Sequence, residues 1–197
     1  MRSILTLLLL TVSMFASSNL FEKIEGLNVG IGEYKLGKKL TVAQKSSAKR
    51  DLLETNSDKI YKFRDNDIYI SVDKASDRAV VIYRVFEDQN STDLKRILGG
   101  AIGAYAEPTT MSHGNIVYWV YRKDGSLITN DDYEQWRNRQ LNSDNNSTSH
   151  GLNYATLNKL YTVKLSSSKM FESDEKFDDA KAYLIVSSQA LLEEIVK

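Results

Sequence analysis

The chain has 197 residues, 42% of them hydrophobic, and its 26 Lys plus Arg balance 26 Asp plus Glu. That balance lacks the broad basic face that phosphate-backbone binding requires, so nucleic acid is not an expected partner. No cysteine is present, which excludes disulfides, thiolate chemistry, cysteine zinc sites and a lipid on an N-terminal cysteine.

In chain order, Arg2 precedes an apolar run from Ile4 to Ala16. The run has the length of a signal-peptide core and falls short of the roughly 20 residues that span a bilayer. Ala16-Ser17-Ser18 forms a small-x-small site, so residues 1–18 are read as a signal peptide cleaved after Ser18. An N-terminal anchor and a buried helix are the rival readings. Loss of Arg2 leaves a mature chain of net charge near −1. A cysteine-free exported chain points to the bacterial periplasm or to secretion, because small eukaryotic secreted domains usually carry disulfides. Sequons at Asn90, Asn145 and Asn146 are read as chance in so Asn- and Ser-rich a chain. Residues 19–197 are long enough to bury one core.

LNVGIGEY alternates and predicts a strand, and its glycines do not complete a nucleotide-binding GxGxxG. Residues 41–55 predict a short helix ending near Leu53. The basic clusters Lys35–Lys39 and Lys45–Arg50 read as a solvated face. From Ile60 to Phe86 the chain alternates almost throughout, broken by turn compositions at Arg64–Asp67 and Asp73–Asp77. Three antiparallel strands in a meander follow, with one face buried and one exposed. Asn90 to Asp93 offer capping oxygens for a helix whose apolar face is Leu94, Ile97, Leu98, Ala101 and Ile102. Gly99, Gly100 and Gly103 weaken it and are expected to permit close packing on the sheet. The helix must end before Pro108.

Pro108-Thr109-Thr110 is read as a bend and Ser112–Asn115 as a turn. Ile116–Tyr121 is apolar on both sides and predicts a strand covered on both faces. Lys123–Ser126 carries the Asp-Gly hairpin signal. Residues 129–153 are polar, with a loop expected over 142–151. Thr156–Leu165 and Ala182–Val186 predict two more strands, joined by the acidic stretch MFESDEKFDD. Ala190–Val196 predicts a terminal helix capped by Ser187 or Ser188. The fold class is therefore α+β: an antiparallel sheet with short helices packed on one face. Residues 38–90 and 91–197 can be read as two tandem helix-plus-meander modules, although no fixed-period identity supports a repeat.

The order of capped helix, Glu-Pro-Thr, Ile-Val-Tyr-Trp-Val-Tyr and Asp-Gly over 91–165 resembles a module of the SmpA/OmlA outer-membrane assembly lipoprotein family and of β-lactamase inhibitor proteins. The chain departs from both in lacking the lipoprotein cysteine, the inhibitors' disulfides, and in its insert at 129–153. The resemblance implies a helical layer on an antiparallel sheet and, by analogy alone, a binding role.

His113 and His150 are the only histidines. A serine triad needs one of them beside a serine and an acid. Gly-x-Ser-x-Gly is absent, as is HExxH zinc spacing. His113 is read as a turn residue, and Asp65-Asn66-Asp67 resembles only a fragment of a calcium loop. No catalytic centre, metal site or cofactor is expected. Trp119 reads as core. Tyr133, Trp136, Arg137 and Arg139 combine the residue types of interface hot spots and, with His113, are the candidate binding residues. A short helix over Asp131–Gln140, packing its aromatics on the sheet, is favoured over an exposed cluster, which is kept as the candidate contact site. The expectation is a non-enzymatic exported protein that binds a protein or cell-envelope component. The alternatives are a secreted hydrolase using His113 with a carboxylate such as Glu107, and a carrier of a small apolar ligand in a tyrosine-lined pocket.

Overall fold

A computed structural model describes residues 28–122, 124–143 and 161–196. The segment read as a signal peptide, the sequons at Asn145 and Asn146, and His150 lie outside the described residues. Backbone crowding decides the first element. A Cβ on Gly30 would sit 1.9 Å from the Tyr34 carbonyl oxygen. Only glycine therefore allows the small hairpin of β1 (Gly30–Ile31) and β2 (Tyr34–Lys35) to close. Thr41 then opens α1 (Val42–Arg50) with a capping box: its Oγ1 accepts from Gln44 N at 3.2 Å, and Gln44 Oε1 accepts from Thr41 N at 2.9 Å. The helix stops at Arg50, short of the expected Leu53. Leu52 and Leu53 instead pair with Phe63 and Lys62 as β3 (Leu52–Leu53).

The alternating stretch forms the expected meander of β4 (Ile60–Asp65), β5 (Ile68–Asp73) and β6 (Arg78–Gln89). Asn90 Oδ1 accepts from Asp93 N at 2.9 Å and caps α2 (Ser91–Tyr105), which buries Leu94, Leu98 and Ala101. β7 (Thr110–Ser112) starts at the last residue of the segment read as a bend and ends at the first of the one read as a turn, and it pairs with β8 (Ile116–Tyr121) across His113-Gly114. The Asp-Gly turn closes through Gly125 N donating to Arg122 O at 2.9 Å, but only one bridge, Tyr121 to Leu127, follows it. Residues 130–143 form α3 (Asn130–Ser143), so the expected loop begins in helix at Asn142; its remainder from 144 lies outside the described residues. The strand expected over 156–165 is β9 (Tyr161–Ser167), its first five residues lying outside the described residues. β10 (Ala180–Ser188) and α4 (Gln189–Val196) complete the chain, with Ser188 Oγ accepting from Leu191 N at 3.3 Å.

Eight of these strands make one antiparallel sheet in the order β3-β4-β5-β6-β10-β9-β8-β7. Each half has a helix followed by four strands that neighbour one another in chain order, with α3 placed between β8 and β9 in the second half. The two halves meet where their last strands pair, with Arg84 opposite Leu184 near the middle of the seam. Side chains alternate across the sheet. Phe63, Ile70, Ile82, Val163 and Trp119 point to the covered face and form one cluster with Tyr34 of the hairpin, Ala48 of α1, Leu94 and Leu98 of α2, and Leu191 and Ile195 of α4. Each such aliphatic side chain contributes about 1.5–3 kcal/mol on burial. Trp119, fully buried, also donates Nε1 to Ala106 O at 2.7 Å, which fixes the exit of α2.

The buried hydrophobic residues outside this cluster are Val120, which faces the other side of the sheet, and Tyr133 of α3. Arg122 pairs with Asp132 at 2.8 Å and Asn130 Nδ2 donates to Thr109 O at 3.1 Å, tying the start of α3 to the residue after β8 and to the one before β7. β8 is therefore closed on both faces only near Val120. The glycines of α2 do not serve close packing: a Cβ at Gly99, Gly100 or Gly103 would meet nothing within 4 Å. Among the described residues no helix is long and apolar enough to cross a membrane.

Candidate interaction surface

The three layers of a covered sheet would need helices on both faces. Here the face opposite the main cluster carries a different set of side chains, and the pleat decides which they are. In β4 it presents Lys62 and Arg64, in β5 Tyr69, in β6 Val81, Tyr83 and Val85. β10 adds Lys181, Tyr183 and Ile185, β9 adds Lys164, and β8 adds Tyr118. Tyr69 and Tyr83 sit on directly paired positions and their rings stack at 4.7 Å with an interplanar angle of 6°. Burial raises the Tyr83 hydroxyl above the usual tyrosine range, and the neighbouring Tyr69 and Tyr183 add to it. Three tyrosines from three adjacent strands therefore form one band.

Cations lie over these rings. Arg64 is 6.0 Å from the Tyr69 ring centre, Lys181 is 5.5 Å from that of Tyr183, and Lys164 is 5.9 Å from that of Tyr118. Lys181 also pairs with Glu87 at 2.7 Å, the main cause of its raised pKa. Lys62, Arg64 and Lys164 have no ion pair among the described residues. The buried carboxylate on this face, Asp73, is taken up locally by Ser76, whose N–H donates to it at 2.9 Å. The open face thus presents aromatic area and unpaired positive charge together.

The residues singled out from the sequence are placed differently. Tyr133 is buried, and its ring meets that of Trp136 at 6.0 Å. Burial pushes the Tyr133 hydroxyl up, Arg137 pulls it down and Glu134 pushes it up again. Trp136 is half-buried, and Arg137 donates to both carboxylate oxygens of Glu134 at 3.1 and 3.2 Å. This is an aromatic-bearing helix, the reading favoured for the segment. Arg139 lies in α3, and its side chain lies outside the described residues. His113 is exposed at the β7–β8 turn in the left-handed region, with φ 54°. It makes no side-chain hydrogen bond among the described residues, so its part in the turn is a matter of backbone conformation. Glu107 lies before β7 and His113 beyond its far end, and no hydrogen bond or ion pair joins them among the described residues.

No set of three His, Asp or Glu that could hold a metal occurs among the described residues. The turn carboxylates are engaged elsewhere: Asp65 accepts from the Tyr34 hydroxyl at 2.6 Å, Asp67 pairs with Arg84 at 3.0 Å, and Asp77 pairs with Lys45. Comparison with protein-family models, with curated proteins and with solved structures gives no match.

The tyrosine band was missed in the sequence although its signal was present. The alternation that builds the meander names two faces, and the face carrying Lys62, Arg64, Tyr69 and Tyr83 is the more polar of them. The band appears only when β10 is placed beside β6, a pairing across roughly 100 residues.

Proposed function

We propose that the chain is an exported, non-enzymatic protein of the bacterial envelope that docks an acidic surface of a partner protein on the open face of its sheet. The observation that carries this reading is the Tyr69–Tyr83–Tyr183 band with Arg64 and Lys62 beside it, neither in an ion pair among the described residues. Tyrosine supplies contact area at low entropic cost, and Arg and Tyr are the residues that dominate interface energies. The positive balance of the face selects a negatively charged partner and speeds its encounter. The likeness of residues 91–165 to the SmpA/OmlA module supports a binding role by analogy only. The run at residues 4–16 supports export.

The test is a photoreactive residue at position 183 in living cells, with position 42, exposed on α1, as the control. A discrete protein adduct from 183, absent from 42 and abolished by Lys62→Glu with Arg64→Glu, is the expected result. Adducts that form equally from both positions, or that survive the charge reversal, refute the reading. An adduct with an anionic polymer in place of protein refutes the choice of partner.

A further inference from the structure

On the covered side of the sheet a cleft of about 880 Å³ opens between α2, the β1–β2 hairpin and the central strands. That volume lies in the range of small-molecule sites, roughly 300–1,000 Å³. Its walls are apolar: Val29 and Ile31 from the hairpin, Ile97 from α2, Phe86 and Leu184 from the sheet. Gly100 and Gly103 form the helix side, where an added Cβ would meet empty space. The glycines that look like defects in α2 thus keep the cleft open.

The charged groups of the cleft are of one sign; Asn28 and Tyr105 also line it, the Tyr105 hydroxyl donating to Gly30 O at 2.8 Å. Arg84 and Lys35 line it, and no carboxylate does among the described residues. Arg84 stands at a strand position that otherwise faces core, between Ile82 and Phe86. Its Nε lies 3.0 Å from Asp67 Oδ2, yet the N–H is not aligned as a hydrogen bond, and the atom is buried without a hydrogen-bond partner. Lys35 makes no ion pair among the described residues. Tyr121, only 8% exposed, also lines the cleft, and its hydroxyl makes no hydrogen bond among the described residues. Arg84 has Asp67 beside its Nε, but its Nη nitrogens, the Lys35 ammonium and the Tyr121 phenol make no hydrogen bond among the described residues, in a largely apolar hollow. Such groups are costly to bury unless something negative satisfies them.

We infer that this cleft binds an apolar carboxylic acid, its hydrocarbon body against the Phe86, Ile97 and Leu184 walls and its carboxylate on Arg84. Arginine matches a carboxylate bidentately, and Tyr121 is placed to donate a further bond. The site lies on the opposite face from the tyrosine band and does not depend on it.

The test uses purified protein and the fluorescence of cis-parinaric acid, displaced by oleate, by oleyl alcohol or by acetate. Oleate should displace the probe at a concentration at least about tenfold lower than oleyl alcohol, the difference a charge-assisted hydrogen bond gives, and acetate should not compete. Arg84→Gln should remove the preference for the acid. Gly103→Leu should abolish probe binding while the melting temperature holds or rises, because it fills the cleft and replaces a helical glycine. No probe signal with the unaltered protein, equal displacement by acid and alcohol, or full binding by Gly103→Leu would each overturn the inference. Lys62→Glu with Arg64→Glu should leave probe binding unchanged, which separates this site from the docking face; loss of binding in that variant would count against a site on the covered side.

Discussion

Thr109→Val removes one oxygen and keeps the shape of the side chain. Thr109 is fully buried. Its Oγ1 donates to Ile128 O at 2.6 Å and accepts from Val120 N at 2.9 Å, bridging β8 to the strand-like segment after the Asp-Gly turn. Valine leaves the buried Val120 amide without its acceptor and the half-buried Ile128 carbonyl without its donor. Each orphaned group costs about 1–3 kcal/mol, and the added methyl returns somewhat under 1 kcal/mol. The expected loss is about 2–4 kcal/mol. For a chain of this size that lowers the melting temperature by roughly 5–15 °C. Urea unfolding followed by tryptophan fluorescence and by far-UV circular dichroism measures it. Thr110→Val is the control, because Thr110 faces the open side and its hydroxyl makes no bond among the described residues; it should stay within about 0.5 kcal/mol. If Thr109→Val also stays within that margin, the hydroxyl is not a structural bridge.

Asn90→Ala removes the cap of α2 and should cost about 1 kcal/mol in the same unfolding assay; a loss below 0.3 kcal/mol (about the smallest this assay resolves) would mean that the amide of Asp93 finds another acceptor. Stability should fall at alkaline pH. Burial pushes the Tyr105 hydroxyl up to about 12, Tyr121 adds to this and Arg84 opposes it, while burial and the bond to Asp65 raise Tyr34 further. Unfolded tyrosines ionise near pH 10. Their contribution is therefore complete below pH 10 and is lost as the pH climbs toward 12, where the unfolded chain has released protons that the native state keeps. Tyr105→Phe should flatten the decline in urea midpoint between pH 9.5 and 11.5, and an unchanged slope would show that Tyr105 does not contribute. Lys62→Glu with Arg64→Glu should leave the urea midpoint within the error of the unaltered protein, since neither side chain has an ion pair to lose among the described residues; a large shift would assign these cations a structural task.

The meander and α2 were legible because a single local rule generated each. Period-two alternation gave β4 to β6, and Asn90 followed by Leu94, Leu98 and Ala101 gave α2. Elements that depend on distant partners were not. Leu52 and Leu53 read as a helix end, and only Phe63 and Lys62 make them a strand. Thr109 and Thr110 read as a bend, because three residues of β7 carry too little pattern to announce pairing with β8. The segment from Asn130 to Ser143 is so polar that helical spacing is faint; the short helix favoured over Asp131–Gln140 is present and Tyr133 is buried, but the helix runs on to Ser143. Arg84 looked like the polar residue of an otherwise apolar strand. Its place on the covered face follows from register with Ile68 and Leu184, and register is set by turns and bulges elsewhere in the sheet.

The joint between the two meanders has a consequence for synthesis. β6 is complete at Gln89, and the strand that pairs with its free side, β10, begins at Ala180. While a ribosome adds those intervening residues, the emerging polypeptide carries a long apolar rim with its amides and carbonyls unmet. Such a rim recruits other growing chains into mixed sheets. Holdase chaperones should engage this protein in that interval and let go once the last strand arrives.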